Sequence, residues 1–383
     1  VIIAVLLMAI AVLFGFAIGP RWVESSMNRV ASPPPYTVSA AARSLHETLF
    51  IADLHSDTLL WNRGLLERGT RGHVDVPRLR DARVALQVFS VVTQVPRGQN
   101  YNRNTTSSDQ ITALALLQRW PPRTWTNLLE RALYQARVLR EAAARPDSGL
   151  TLIRNVAELD SLIALRQRDA NAIGAMLALE GAPMVEEDGA AIDALFDAGF
   201  RVIGLTHFVD TRLAGSAHGV DKGGLTSAGR AAVRRLEEKR MIVDLAHASP
   251  RVVDDVLAIA TRPVMVSHTG VRGTCDSPRN LSDDQLRGVA ANGGLIGIGY
   301  WDAAICATDV AGIVRAIQYA TSIAGVDHVA LGSDFDGATN TPFDTTGIAL
   351  ITEALMKSGT SEDDVRAIMG GNVLRLLRSA LPP

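Results

Sequence analysis

The sequence predicts a (β/α)8 (TIM) barrel of the α/β class, preceded by an N-terminal hydrophobic helix. Three observations predict the barrel. Short, almost uninterrupted apolar runs alternate with amphipathic stretches of helical period, the pattern of a parallel sheet covered by helices. There are eight such runs, the number that closes a barrel. The composition agrees: 47% of the 383 residues are hydrophobic and only 5% aromatic, so aliphatic strands and Ala-rich helices must supply the core.

The chain opens with VIIAVLLMAIAVLFGFAIG (1–19), which has no charged or polar side chain. As a helix it would span roughly 28 Å at 1.5 Å per residue, about one hydrocarbon core. We read 1–19 as a retained transmembrane anchor rather than a cleaved signal segment, because Pro20 follows the small residues Ala17 and Gly19 and would hinder cutting. A buried helix of the soluble domain is the remaining alternative. Arg21 and Arg29 hint at a cytoplasmic domain. Residues 20–44, containing ASPPPYTVSA (31–40), are expected to form a stiff Pro-rich linker, and the barrel domain to occupy 45–380.

Within that domain the strands are expected at LFIADLH (49–55), VALQVFSVV (84–92), AIGAMLALE (172–180), RVIGLTH (201–207), MIVDLAH (241–247), PVMVSH (263–268), GLIGIGY (294–300) and HVALGSD (328–334). Between them lie amphipathic stretches such as SAGRAAVRRLEEKR (227–240) and DVAGIVRAIQYATSIAG (309–325). Residues 94–170 are too many for one connecting helix. LLERALYQARVLREAAA (128–144) and VAELDSLIALRQ (156–167) make this stretch a helical insertion.

The strand ends carry the chemistry. The first run closes on His55 and Asp57, the third on Glu180, the fourth on His207, the fifth on His247, the sixth on His268 and the eighth on Asp334. Functional side chains of such barrels gather at the C-terminal rim, so these seven residues converge on one place. His55 and Asp57, two positions apart, share a strand face and can hold one ion. A lone histidine at a strand end is more often structural, but the chain has eight histidines and four of them end separate strands. His46, His73, His218 and His328 lack this placement and are read as surface or packing residues, although His218 in GSAHGVDKGG could line the pocket.

Three histidines, one aspartate and one glutamate exceed the needs of one catalytic zinc. They suit two divalent cations with Glu180 shared, His55 and Asp57 completing one site, His247 and His268 the other. Imidazole-rich ligation favours zinc over magnesium or calcium. Asp334 then fits a proton carrier beside the activated water. A net charge of −2 gives no electrostatic case for nucleic acid as a partner, and without a basic stripe, P-loop or dinucleotide fingerprint nucleotide chemistry has little support, so no nucleic acid is expected.

Taken in order, ALEGA, GLTHF, DLAHAS, VSHTG, CDSPRNLSDDQLR and GSDFDG resemble the membrane dipeptidase (renal dipeptidase) family of the metal-dependent amidohydrolase superfamily, and the likeness runs over roughly 45–380. The resemblance implies a zinc-dependent dipeptidase tolerant of a D-residue at the C-terminal position. It implies two Zn2+ per chain on His55, Asp57, Glu180, His247 and His268. His207 would contact the substrate and polarise the scissile carbonyl. Arg279 would pair with the substrate's terminal carboxylate, with Asn280 beside it, and Asp334 would shuttle the proton. Asp336 is a weaker candidate, a turn residue or a support to the site. The resemblance also implies a disulfide between Cys275 and Cys306, against the alternative of two free buried thiols. A disulfide would set the domain outside the cytosol, whether anchored or released by signal cleavage. Homodimers recur in the family.

There are departures from the family pattern. Ala303 stands where the mammalian members carry a tyrosine lining the substrate pocket, so side-chain preference does not transfer. The tail LRSALPP has no hydrophobic stretch for a lipid anchor, which leaves membrane attachment to the N-terminal segment. NTT (104–106) and NLS (280–282) match glycosylation sequons. Two other readings stay open. One is a related binuclear amidohydrolase acting on N-acyl-D-amino acids, β-lactams, lactones or phosphoesters. The other is a catalytically dead anchored binding protein, which the intact ligand set opposes.

Overall fold

The computed structural model describes residues 18–186 and 189–383. Most of the expected anchor, residues 1–17, lies outside them. Among the described residues no helix is long and apolar enough to cross a membrane.

In chain order the strands are β1 (Arg29–Val30), β2 (Ile51–Ser56), β3 (Val84–Val92), β4 (Leu150–Leu152), β5 (Ile173–Glu180), β6 (Phe200–Gly204), β7 (Ile242–Asp244), β8 (Met265–Thr269), β9 (Leu295–Ile298), β10 (Val329–Leu331) and β11 (Asn340–Thr341). Eight of these form a closed parallel barrel in the order β2-β3-β5-β6-β7-β8-β9-β10, with β10 returning to β2. All eight expected strands are present, and every residue of β2, β3, β5, β6, β7, β8, β9 and β10 is buried. Several are shorter than expected. Those ending at His207, His247 and Asp334 stop pairing at Gly204, Asp244 and Leu331, because the chain turns at the rim. His247 and Asp334 adopt positive φ, 61° and 59°, which a strand cannot accommodate.

The insertion adds a strand that the periodicity did not reveal. Leu150–Leu152 pairs with Ile173–Ala175 of β5, and β6 takes over the same edge from Leu177. The helices form where expected, for local reasons. Thr226 caps Ser227–Glu238 by accepting from Gly229 N, and its Ala232, Val233 and Leu236 are buried on one face. Ser282 and Gln285 make a reciprocal capping box for Asp283–Ala291.

The floor of the barrel is closed by the last helix, Asn372–Ala380. Its Val373, Leu376 and Leu377 join a buried cluster with Leu86, Met176, Val202, Ile242 and Leu295. Asn372 Nδ2 donates to Val329 O at 2.8 Å. Arg262, just before β8, reaches Ala380 O at 2.9 Å. With one end plugged, only the C-terminal rim is left for a site.

The stretch expected as a linker packs on the barrel instead. β1 pairs in parallel with β11, Arg29 opposite Asn340. Glu24, 2% exposed, forms ion pairs with Arg63 and Arg71. Ser39 caps the helix Ala40–His46. Extended chain free of helix and strand is confined to 31–39, the part that contains the prolines. The ion pairs decide this, because a buried Glu24 carboxylate needs the guanidinium groups that only the barrel supplies.

Candidate metal centre

The rim brings together the seven residues singled out at the strand ends. His55 is the last side chain but one of β2. Its N–H is held by Asp53 Oδ1 at 2.9 Å, and its ring crosses the barrel to Ser267 of β8, Nδ1 to Oγ 3.2 Å. Asp57 follows, its N–H donating to Phe335 O at 2.9 Å. Glu180 ends β5 at the centre of the group. Its Oε1 lies 2.8 Å from His247 Nε2, 3.3 Å from His268 Nε2 and 3.7 Å from His55 Nε2. His55 Nε2 is also 3.5 Å from Asp57 Oδ1 and 4.0 Å from Asp334 Oδ1. The two expected halves of the site therefore meet on one carboxylate.

Two glycines make the approach possible. After Glu180 the chain turns at Gly181, φ 78°, where a Cβ would sit 2.9 Å from His207 Cβ. A Cβ on Gly337 would be 2.0 Å from Asp334 Oδ1 and 3.1 Å from Asp57 Oδ2. Alanine at either position would push the carboxylates or His207 out of place.

The electrostatics suit cations. Burial holds the His247 and His268 imidazoles well below their usual pKa, and nearby Arg279 adds to the effect. They are therefore neutral, as metal ligands must be. Burial would raise Glu180, but His207 and His55 overcome it and keep the carboxylate ionised. Burial lifts Asp334 well above the carboxylate range, with Asp57 and Glu180 adding to it. His55 Nε2 and Asp57 Oδ1 are buried without a hydrogen-bond partner. Such unpartnered buried atoms are costly unless a cation, a metal ion or a proton on His55, lies between them, and although burial lowers the His55 pKa, Glu180 and Asp57 raise it well above its ordinary value. Three overlapping groups have mutually close ligand atoms: His55 with Asp57 and Glu180, Glu180 with His207 and His247, and His55 with His268 and Asp334. The donor set fits divalent metal.

His207 Nε2 stands 3.6 Å from Glu180 Oε2, and its ring meets that of His247 edge-on at 4.5 Å. Arg279 is buried beside His268. Its Nη2 donates to His268 O at 2.6 Å, and its Nε has no partner. Asn280 does not fit the substrate role expected of it. Its Oδ1 accepts from Gly270 N and its Nδ2 donates to Cys275 O and Ala304 O, so the side chain pins the loop. Asn104 likewise donates to Asn100 O and His218 O. Both sequon asparagines are thus buried and engaged. Cys275 and Cys306 are joined as a disulfide.

Asp336 supports the rim. It accepts from Thr58 Oγ1 at 2.8 Å and His73 N at 2.6 Å and pairs with Arg63. Burial alone would raise its pKa, but Arg63 holds it low. His46 and His73 are buried packing residues. His218 stacks on Phe208, packs edge-on against His247 and holds Tyr101 O at 3.1 Å.

Sequence reasoning missed several supports. Ser267 Oγ lies 3.2 Å from His55 Nδ1 and 2.9 Å from His268 Nδ1. Asp53 and Asp244 brace the strand ends from inside the barrel, Asp53 on His55 N and Asp244 on Ser267 N at 2.9 Å. Their signal was present, since each is a charge in an otherwise apolar strand. Tyr101 and Trp301, linked Oη to Nε1 at 2.9 Å on the cavity wall, carried no local signal.

A model of the family described as membrane dipeptidase (peptidase family M19) matches residues 39–381. An uncharacterized protein from the pqqA 5′ region of Klebsiella pneumoniae is 30% identical over 260 residues, 64% of this chain and 94% of that protein. Dipeptidase aclJ of Aspergillus oryzae is 26% identical over 398 residues, 98% of this chain and 87% of its own. Two solved structures share the fold. One is a metallopeptidase of Rhodobacter sphaeroides bound to a phosphinate mimic of L-Ala-D-Ala, with a TM-score of 0.68 and 23% identity, covering 87% of this chain and 99% of that one. The other is the probable dipeptidase PvdM of Pseudomonas aeruginosa, with a TM-score of 0.76 and 18% identity, covering 89% and 97%.

Proposed function

The chain belongs to the membrane dipeptidase family of metallopeptidases, hydrolases of peptide bonds, and from that premise we propose that it is a zinc dipeptidase with two ions per chain. The observation that carries the proposal is the meeting of His55, His247 and His268 Nε2 on Glu180 Oε1, with Arg279 and Asp334 beside them. His55 and Asp57 would hold one ion, His247 and His268 the other, and Glu180 both. When bound, the ions supply Lewis acidity toward the substrate carbonyl and acidify a water so that it attacks near neutral pH.

The remaining work falls to side chains. Arg279 pairs with the terminal carboxylate of the dipeptide and sets the distance from terminus to scissile bond. His207 directs its Nε2 at the carbonyl oxygen and favours the developing negative charge. Asp334 takes the proton released from water and delivers it to the departing amine. One water is consumed: its oxygen joins the carbonyl carbon and its hydrogens end on the two products. The relative bound to an L-Ala-D-Ala mimic makes dipeptides with a C-terminal D-residue the first substrates to try. The apolar stretch 1–19 is read as a membrane anchor, with the domain on an extracytoplasmic face where the Cys275–Cys306 bond persists.

The test is zinc content of the full chain by mass spectrometry, paired with hydrolysis of L-Ala-D-Ala and of its C-terminal amide. We expect about two zinc per chain, with Arg279→Ala raising KM for the free acid far more than for the amide. Two zinc without dipeptide hydrolysis would move the assignment to an N-acyl amide or lactone. Failure to bind metal would refute the site.

A further inference from the structure

The cavity over the metal ligands extends well beyond them. It has a volume of about 600 Å³ and one continuous wall that runs from Glu180, His207 and Asp334 to Val23, Met27, Leu60, Trp61, Ile111 and Leu114. The far end is a largely apolar arm, whose lining also includes Ser26, Arg29 and Gln110, assembled from three separate parts of the chain: the N-terminal segment, the turn after β2, and the insertion helix Gln110–Leu117. Val23, Met27, Leu60, Trp61, Ile111 and Leu114 form a satellite apolar cluster distinct from the barrel core.

The arm is held rigidly from each side. Glu24, one turn before Met27, is tied to Arg63 and Arg71, and Arg63 in turn to Asp336. Trp61 Nε1 donates to Asp336 O at 2.7 Å. The fully buried Arg131 clamps the insertion, with bonds of 2.6 Å to Thr93 O and Asp109 Oδ2 and 2.7 Å to Thr112 Oγ1. An apolar space built on buried ion pairs and continuous with a reaction centre is shaped to take part of the substrate.

Which part follows from the barrel order. In the ring β2-β3-β5-β6-β7-β8-β9-β10, β3 and β8 are diametrically opposite. Arg279 lies in the loop after β8, whereas the arm rises over the ends of β2 and β3. A dipeptide with its carboxylate on Arg279 and its carbonyl over the ligands turns its N-terminal residue toward the arm. We infer that this arm binds the side chain of the N-terminal residue and that the enzyme prefers dipeptides in which this residue is large and apolar, such as leucine or phenylalanine. The inference rests on the dipeptidase reading above and adds the substrate class.

Steady-state kcat/KM of the zinc-loaded full chain for L-Leu-D-Ala and L-Ala-D-Ala tests it. Burial of the extra carbons should favour the leucyl substrate by at least about tenfold. Met27→Asp, which places a charge in the arm, and Ala113→Trp, which fills it from an exposed helix position, should each bring the ratio close to one. A wild-type ratio near one, or a ratio unmoved by both variants, would overturn the arm while leaving the dipeptidase reading intact. No hydrolysis of either dipeptide would overturn that reading and the arm with it.

Discussion

Glu180 Oε1 and His247 Nε2 lie 2.8 Å apart at the barrel mouth, on residues 67 positions apart in sequence, one at the end of β5 and the other just past β7. That closeness makes the glutamate the centre of the site. Glu180→Gln keeps its shape and removes its charge. On the proposed two-ion site, we expect Glu180→Gln to leave at most one ion per chain and to lower activity at least about a thousandfold, because water activation would need the ions. Metal analysis after dialysis, with circular dichroism to confirm folding, checks this. Two ions retained with full activity would remove Glu180 from the centre.

Ser267 connects the two halves of the site. If His55 and His268 turn Nε2 toward ions, their Nδ1–H groups both donate to the Ser267 hydroxyl. Ser267→Ala should therefore weaken metal binding by roughly 10–100-fold with little change in fold. Competition against a chromogenic chelator measures it, and unchanged affinity would mean that packing alone orients the rings.

The Cys275–Cys306 bond spans a sequence separation of 31, linking the loops that follow β8 and β9. Closing such a loop is worth about 3–4 kcal/mol in the chain-entropy model. The double variant Cys275→Ser, Cys306→Ser should lose that much in urea unfolding, and it avoids thiol reductants, which chelate metal. The same loop carries Arg279, so KM should rise as well.

His46 gives a pH dependence remote from the metal site. Its ring fits the neutral form: Nε2–H donates to Ala82 O at 3.1 Å, and Nδ1 accepts from Thr352 Oγ1 at 2.8 Å. Burial lowers its pKa below 6.5. Below pH 6.5 the unfolded chain therefore takes up a proton that the folded chain refuses. Stability is complete above 6.5 and falls by up to ~1.4 kcal/mol per pH unit beneath it, until the folded pKa is reached. Urea midpoints between pH 7.5 and 5 should fall more steeply for the wild type than for His46→Gln. Equal slopes would show that His46 takes up its proton as readily in the fold as in the unfolded chain.

Much of this was legible in the sequence because the barrel repeats one physical rule. Each strand must be apolar throughout to be covered on both sides, so the polar residue that ends it stands out. His55, Glu180, His247 and His268 were found that way. Asp53 and Asp244 went unnoticed although they break the same rule within the strands. Asn280 was misjudged because its motif placed it beside Arg279, whereas its amide is taken up by three backbone groups. The linker reading of 20–44 followed the prolines and overlooked Glu24, whose partners Arg63 and Arg71 are distant in sequence.

The sequence by itself determined the eight strands, their order, and the identity of the residues at their ends, since periodicity and burial are local properties of a chain. Only the tertiary structure decided which oxygen of which carboxylate the histidines share, that Ser267 bridges two rings, and that the N-terminal segment walls an apolar arm opposite Arg279. Those are relations between residues far apart in sequence, and closure of the barrel is what brings them within bonding distance.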